Sequence, residues 1–160
     1  HVNHIVFLCS PHHGAPLERG GNLLNAVVGA TPYTLPFVRL GNIRSAGITD
    51  LRYGSIIDQD WMGRDRFDHS GDLRQPVPLP DTAACYAVAA TLGKKSDDMQ
   101  SLLMADGLVP IHSALGRHKD PALCLSIPDH HTWVGYEMNH LDALHHPDVY
   151  ATIKKWLAPA

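Results

Sequence analysis

The chain has 160 residues, enough for one domain with a sizeable core. Apolar residues make up 44% and charged residues 18%, the balance of a folded globular protein. The formal net charge is −3 with no long basic run, which argues against nucleic acid or an anionic membrane surface as the main partner. No apolar stretch is long enough to span a membrane, and no signal peptide is visible. Twelve histidines are many, and six of them come in the pairs His12-His13, His130-His131 and His145-His146, so a metal site has to be weighed. Cys9, Cys85 and Cys124 each sit in an apolar run and read as three core thiols, not as a disulfide framework.

The first element is Ile5-Val6-Phe7-Leu8-Cys9, a continuous apolar run of strand length. Such a run fits a strand buried on both faces, as in a parallel sheet. It begins almost at residue 1 with nothing upstream to flank it, so the chain reads as a piece of something larger. Ser10-Pro11-His12-His13-Gly14-Ala15-Pro16 follows as a sharp loop at the strand's C-terminal end, where open α/β sheets bind ligands. Cys9, His12 and His13 raise the question of zinc. Adjacent histidines do not readily face one metal, and no C-x-x-C or H-E-x-x-H pattern occurs, so a shaped turn is the better reading.

Residues 17–80 differ in texture, being rich in glycine, proline and aromatic residues with short helical stretches. Asn22 to Val28 has the length of a short helix, and Leu40, Ile43, Gly47, Ile48 and Leu51 are helically spaced. An excursion this long between two buried strands is usually functional. It is expected to form a cap or lid over a site, or an insertion that only covers the sheet. Ala84 to Leu92 is the second apolar run, ending at Gly93; its length and flanking turns favour a strand, although its alanines leave a helix open. Ile111 to Gly116 begins a short helix. Ala122-Leu123-Cys124-Leu125-Ser126-Ile127 is expected as the third strand, and Pro128 to Tyr136 as a histidine-rich loop.

The chain closes on a strong helix signal. Pro147 suits the first helical position, and Asp148 complements the positive end of the helix dipole. Val149, Ile153, Trp156 and Leu157 form one apolar face, Lys154 and Lys155 sit near the C-terminal end, and Pro159 stops it. His140 therefore falls on a loop between a buried strand and a packed terminal helix. A catalytic histidine needs such support. Taken alone, a surface loop histidine is the plainer reading.

Asp106-Gly107-Leu108-Val109-Pro110 puts an acid on a turn ahead of that histidine, with a strand between them. This is the Asp-then-His order of α/β-hydrolases. In such a triad the carboxylate orients the imidazole, and the imidazole takes the nucleophile's proton. Without His140, Asp106 would read as a turn aspartate bonding its own backbone. Asp97 and Asp98, closer to the end of the second run, are weaker rivals for the acid.

Four segments carry a family resemblance in the right order: Ser10 to Pro16, Arg44 to Gly54, Asp106 to Pro110 and Asn139 to Asp142. Together they resemble the C-terminal half of a lipase- or esterase-like α/β-hydrolase. The resemblance is closest to bacterial relatives of the GPI inositol-deacylase hydrolase domain. It implies an α/β fold over residues 1–160, with about three parallel strands, a cap-like insertion at 17–80 and a C-terminal helix. It implies Asp106 as triad acid and His140 as general base, acting on carboxylic, acyl or lipid-like esters without a cofactor.

The family's nucleophile elbow is absent, since no G-x-S-x-G occurs. Ile43-Arg44-Ser45-Ala46-Gly47 lacks the first glycine, and His112-Ser113-Ala114-Leu115-Gly116 has the wrong spacing. In the family the elbow and the oxyanion amides come earlier, so they would precede His1. Ser10 is a poor substitute, because Pro11 has no N–H to offer an oxyanion. The fragment alone is expected to be inactive. Asp142 resembles a ligand of the structural calcium of some bacterial lipases, but the other oxygens such an ion needs are missing, so a loop-ordering carboxylate is the better reading. Two rivals stand beside ester hydrolysis: a non-catalytic hydrolase-like module that binds acyl ligands, and a metal-dependent hydrolase using the histidine pairs.

Overall fold

A computed structural model describes residues 1–14, 53–63, 71–94 and 108–158. The chain divides into two compact units, one of residues 1–13 and 76–160, the other of residues 14–75. The first unit is built on a parallel three-stranded sheet in the order β1-β2-β3, with β1 His4–Leu8, β2 Ala84–Ala90 and β3 Thr132–Gly135. Among the described residues two α-helices belong to it: α1 Ile111–Ala114 and α2 Pro147–Leu157. It is an α/β arrangement, and among the described residues no helix is long and apolar enough to cross a membrane.

β2 is the centre, with Cys85 to Ala90 all buried. Its small and β-branched residues let both faces be covered closely, as a central parallel strand requires. Alternation sends its side chains to two cores. Val88 and Ala90 pack with Met138, Val149, Leu8 and Trp133, and with Ile153 and Trp156 of α2. Ala87 and Ala89 pack with Val109, Ala114 and Leu115, and with Val134 of β3. The register sets Val88 beside Trp133 and Ala90 beside Gly135. Gly135 has no room to spare, since a Cβ there would meet Met138 Sδ at 2.8 Å.

α2 follows its sequence signals. Pro147 opens it, Asp148 lies in the first turn, and Lys154 and Lys155 lie in the last. Its cap was not anticipated: His146 Nδ1 accepts the Asp148 N–H at 3.3 Å. Val149 is buried, whereas Leu157 is exposed. Pro159 lies outside the described residues.

The third strand is not where the hydrophobic run points. Pro121–Leu123 is a turn of 3₁₀ helix, capped by the Asp120 carboxylate, which accepts the Ala122 N–H at 3.0 Å. Proline supplies a helical φ, and the cap satisfies a backbone donor locally, so the segment never needs a sheet partner. Cys124, expected in the core, is exposed, and its N-terminal neighbours fold around it: the His118 N–H donates to its sulfur at 3.2 Å. Cys9 and Cys85 are buried as expected. The strand is Thr132-Trp133-Val134-Gly135, inside the stretch read as a histidine-rich loop. A β-branched, aromatic, β-branched sequence suits a pleated surface better than its histidine neighbours suggest.

In the second unit, Asp60 Oδ2 accepts the Ile56 N–H at 3.1 Å, and Asp60 Oδ1 accepts the Gln75 N–H at 3.0 Å. The Arg74 guanidinium grips Asp72 with two bonds of 2.9 Å. The helical stretches expected between residues 22 and 51 lie outside the described residues.

Candidate active site

The C-terminal ends of the three strands are knitted together by backbone bonds. The Cys9 N–H donates to the Val88 carbonyl at 2.9 Å, joining the end of β1 to β2. Beyond β2, the Thr91 N–H donates to Gly135 O, the Met138 N–H to Thr91 O, and the Glu137 N–H to Gly93 O, each at 2.9 Å. These bonds carry the sheet's order past its last residues and hold the segment that leads to His140. Cys9 at φ 49° and Glu137 at φ 51° are the two non-glycine residues with left-handed backbone among those described, and both lie at this edge. Such conformations cost free energy and persist only where the surroundings fix them, most often near functional sites.

His140 stands in the turn after β3, half-buried. Its neighbours lock the turn from both sides. Asn139 Oδ1 accepts the N–H groups of Leu141 at 2.8 Å and Asp142 at 2.9 Å. Asp142 Oδ2 accepts the Asn139 N–H at 3.0 Å in return. The pattern is a reciprocal cap closed around one histidine. It leads into a 3₁₀ turn, Asp142–Leu144, and then to α2. Asp142 thus does what a loop-ordering carboxylate does. His145 Nδ1 faces the Leu141 carbonyl at 3.1 Å and adds a further tie.

The loop after β1 brings two more histidines to the same edge. The His12 N–H donates to the Ser10 carbonyl at 2.9 Å, closing the turn around Pro11. The His12 ring sits edge-on to Phe7, with centroids 4.6 Å apart. Burial, with the nearby His13 adding to it, pushes the His12 pKa down to about 4, so this ring is neutral at pH 7. His13 is buried; its N–H donates to Ser113 Oγ at 3.0 Å, and its ring lies 5.0 Å from that of His118. Ser113 is itself fully buried on α1, as a structural hydroxyl that ties α1 to the β1 loop. Burial raises the Cys85 thiol above its ordinary pKa, which keeps it protonated and unreactive.

Asp106, Asp97 and Asp98 lie outside the described residues, so His140 is the member of the expected acid–base pair that the structure describes. Among the described residues, no three histidine, cysteine, aspartate or glutamate side chains are grouped to hold a metal ion. Sequence reasoning placed Asn139 in the motif around His140 but gave it no role, and it did not find the ties from residues 91–93. The Asn-x-x-Asp spacing around His140 was the available signal. No protein-family model, curated protein or solved structure matches this chain.

Proposed function

We propose that this chain is the C-terminal part of an α/β-hydrolase that cleaves carboxylic esters with an acyl or lipid-like chain. In this reading His140 is the general base and Asp106 orients it. The serine comes from a G-x-S-x-G elbow encoded ahead of His1. The serine oxygen attacks the ester carbonyl while His140 takes its proton. His140 then protonates the departing alcohol, and water, activated by the same ring, releases the acid from the acyl-enzyme. Residues 17–80 serve as the cap segment, on the strength of the resemblance alone.

The observation that carries this reading is the placement of His140 at the C-terminal edge of a parallel sheet, in a turn closed on both sides by Asn139 and Asp142. Ligands bind at that edge in α/β sheets, and a general base has to be held still. The test is the coding sequence upstream of His1. A strand, then G-x-S-x-G, then a helix supports the proposal. A natural start at His1, or another residue at the elbow serine, removes serine catalysis and favours a binding module.

A further inference from the structure

Among the described residues the buried polar ones are His13, Thr91 and Ser113, and Thr91 has no accessible surface at all. It follows directly on β2, whose residues are alanine, cysteine, tyrosine and valine. A hydroxyl in such surroundings costs free energy unless it is hydrogen-bonded, and a valine would fill the same shape without that cost. Here the hydroxyl is engaged: Thr91 Oγ1 accepts the N–H of Gly93, itself buried, at 3.1 Å.

That bond closes a short turn and fixes where the Gly93 carbonyl points. The Gly93 carbonyl accepts the Glu137 N–H, and the Thr91 carbonyl accepts the next N–H in the chain, that of Met138, each at 2.9 Å. Left-handed backbone turns successive N–H groups to one side, and Glu137 has it, at φ 51°. A non-glycine residue keeps that conformation only where its surroundings fix it. The Thr91 N–H completes the set by donating to the Gly135 carbonyl at 2.9 Å. Thr91 therefore holds the segment after β3 at Gly135 and Met138 directly, and at Glu137 through Gly93. Met138 is buried, and His140 follows it in the turn that Asn139 and Asp142 close.

We infer that the Thr91 hydroxyl is a positioning group for the general base. It sets the Gly93 turn, the Gly93 turn holds Glu137 and Met138, and these fix where the His140 turn begins. Asn139 and Asp142 give that turn its internal shape; Thr91 gives it its place against the sheet. The catalytic meaning of the inference rests on the ester-hydrolysis reading. A base displaced by a fraction of an ångström leaves a folded protein that binds substrate and takes the proton more slowly.

The test uses the protein expressed with its upstream coding region, carrying Thr91→Val, Thr91→Ser or Thr91→Cys. Valine keeps the shape and removes the acceptor, serine keeps the acceptor, and cysteine puts a weak one in its place. Hydrogen exchange, read by mass spectrometry over residues 135–142, is expected to quicken about tenfold in Thr91→Val, the scale of one lost hydrogen bond, and to stay near wild type in Thr91→Ser. Exchange in β2 should be unchanged in both. The kcat for a short-chain ester is expected to fall about tenfold in Thr91→Val with KM unchanged, less than the loss a 1 Å displacement can cause. It should recover in Thr91→Ser and lie between the two in Thr91→Cys, and serine against cysteine keeps the order readable if the valine variant does not fold. His140→Ala is assayed alongside. Turnover retained in His140→Ala overturns the ester-hydrolysis reading and the catalytic role of Thr91 with it. An inactive His140→Ala beside wild-type kcat in Thr91→Val overturns the role of Thr91 alone. Unchanged exchange over residues 135–142 in Thr91→Val, or a serine variant as slow as the valine one, would also overturn the inference.

Discussion

The two ends of the same sheet are built by different means. At the C-terminal end, the segments after β2 and β3 are bonded to each other through their backbones and the end of β1 is bonded to β2, and the side chains that order them are short and polar: Asn139, Asp142 and Thr91. At the N-terminal end, order comes from rings and prolines. Tyr86 lies with its ring 5.0 Å from Trp156 and 4.2 Å from His131, and the Pro78–Pro80 strap covers the strand start. Backbone ties fix a loop in one geometry, as catalysis needs. Ring stacking and prolines shape a recess instead. One fold thus presents an edge ordered by polar ties and an edge ordered by rings and prolines.

The comparison breaks most readily at Met138, which is buried beneath the C-terminal loops and donates its N–H to Thr91. Met138→Ala is expected to cost about 2–5 kcal/mol in chemical denaturation, the range for a core methionine truncation. A loss below the low end of that range would show that the loops are held by their bonds alone.

Next in size is the pH dependence of the His12 end. The unfolded chain takes up the His12 proton near pH 6.5 and the folded chain near pH 4. A lowered folded pKa means that the unfolded state binds more protons between these values. The stability present above pH 6.5 is therefore lost as pH falls to about 4, and no further below it. The loss is expected to be on the order of 1–3 kcal/mol, and thermal melts of His12→Gln between pH 7 and pH 4 should lack it. An identical pH profile in the variant would place His12 in an open, solvated loop.

At the N-terminal end, Trp156→Leu keeps an apolar side chain on α2 and removes the ring pair with Tyr86. A loss of about 1 kcal/mol is expected for the pair itself, and urea midpoints read it. The smallest effect belongs to Asp142→Ala, which removes one capping acceptor and should cost about 1 kcal/mol or less. Its clearer signature is faster amide exchange at Asn139, with exchange in β2 unaffected.

Much of this arrangement was legible in the sequence, for identifiable reasons. β1, β2 and α2 were legible from continuous apolar runs and a 3.6-residue apolar face with clear punctuation, Gly93 following β2 and Pro147 opening α2, although β1 is only half-buried and not covered on both faces as expected. The third strand was misplaced because Ala122 to Ile127 and Thr132 to Gly135 are both short. Hydrophobicity favours the first, whereas Pro121 and the Asp120 cap exclude it from the sheet and the β-branched residues of the second admit it. Cys124 was misjudged with it, since a cysteine's burial follows the element that carries it. The His140 turn was legible as a position but not as a geometry. Its ties run to residues 91–93 through backbone atoms, which leave no mark in the sequence. The N-terminal recess was not foreseen, although the alternating prolines at 76, 78 and 80 were its visible trace.

The central claim is that His140 carries protons in ester hydrolysis. Its most direct test is the turnover of a short-chain ester by His140→Ala in the protein expressed with its upstream coding region. The account predicts a fall in kcat of roughly 10⁴-fold with an unchanged melting temperature, as for the loss of a triad member. Turnover within a few-fold of wild type would contradict it.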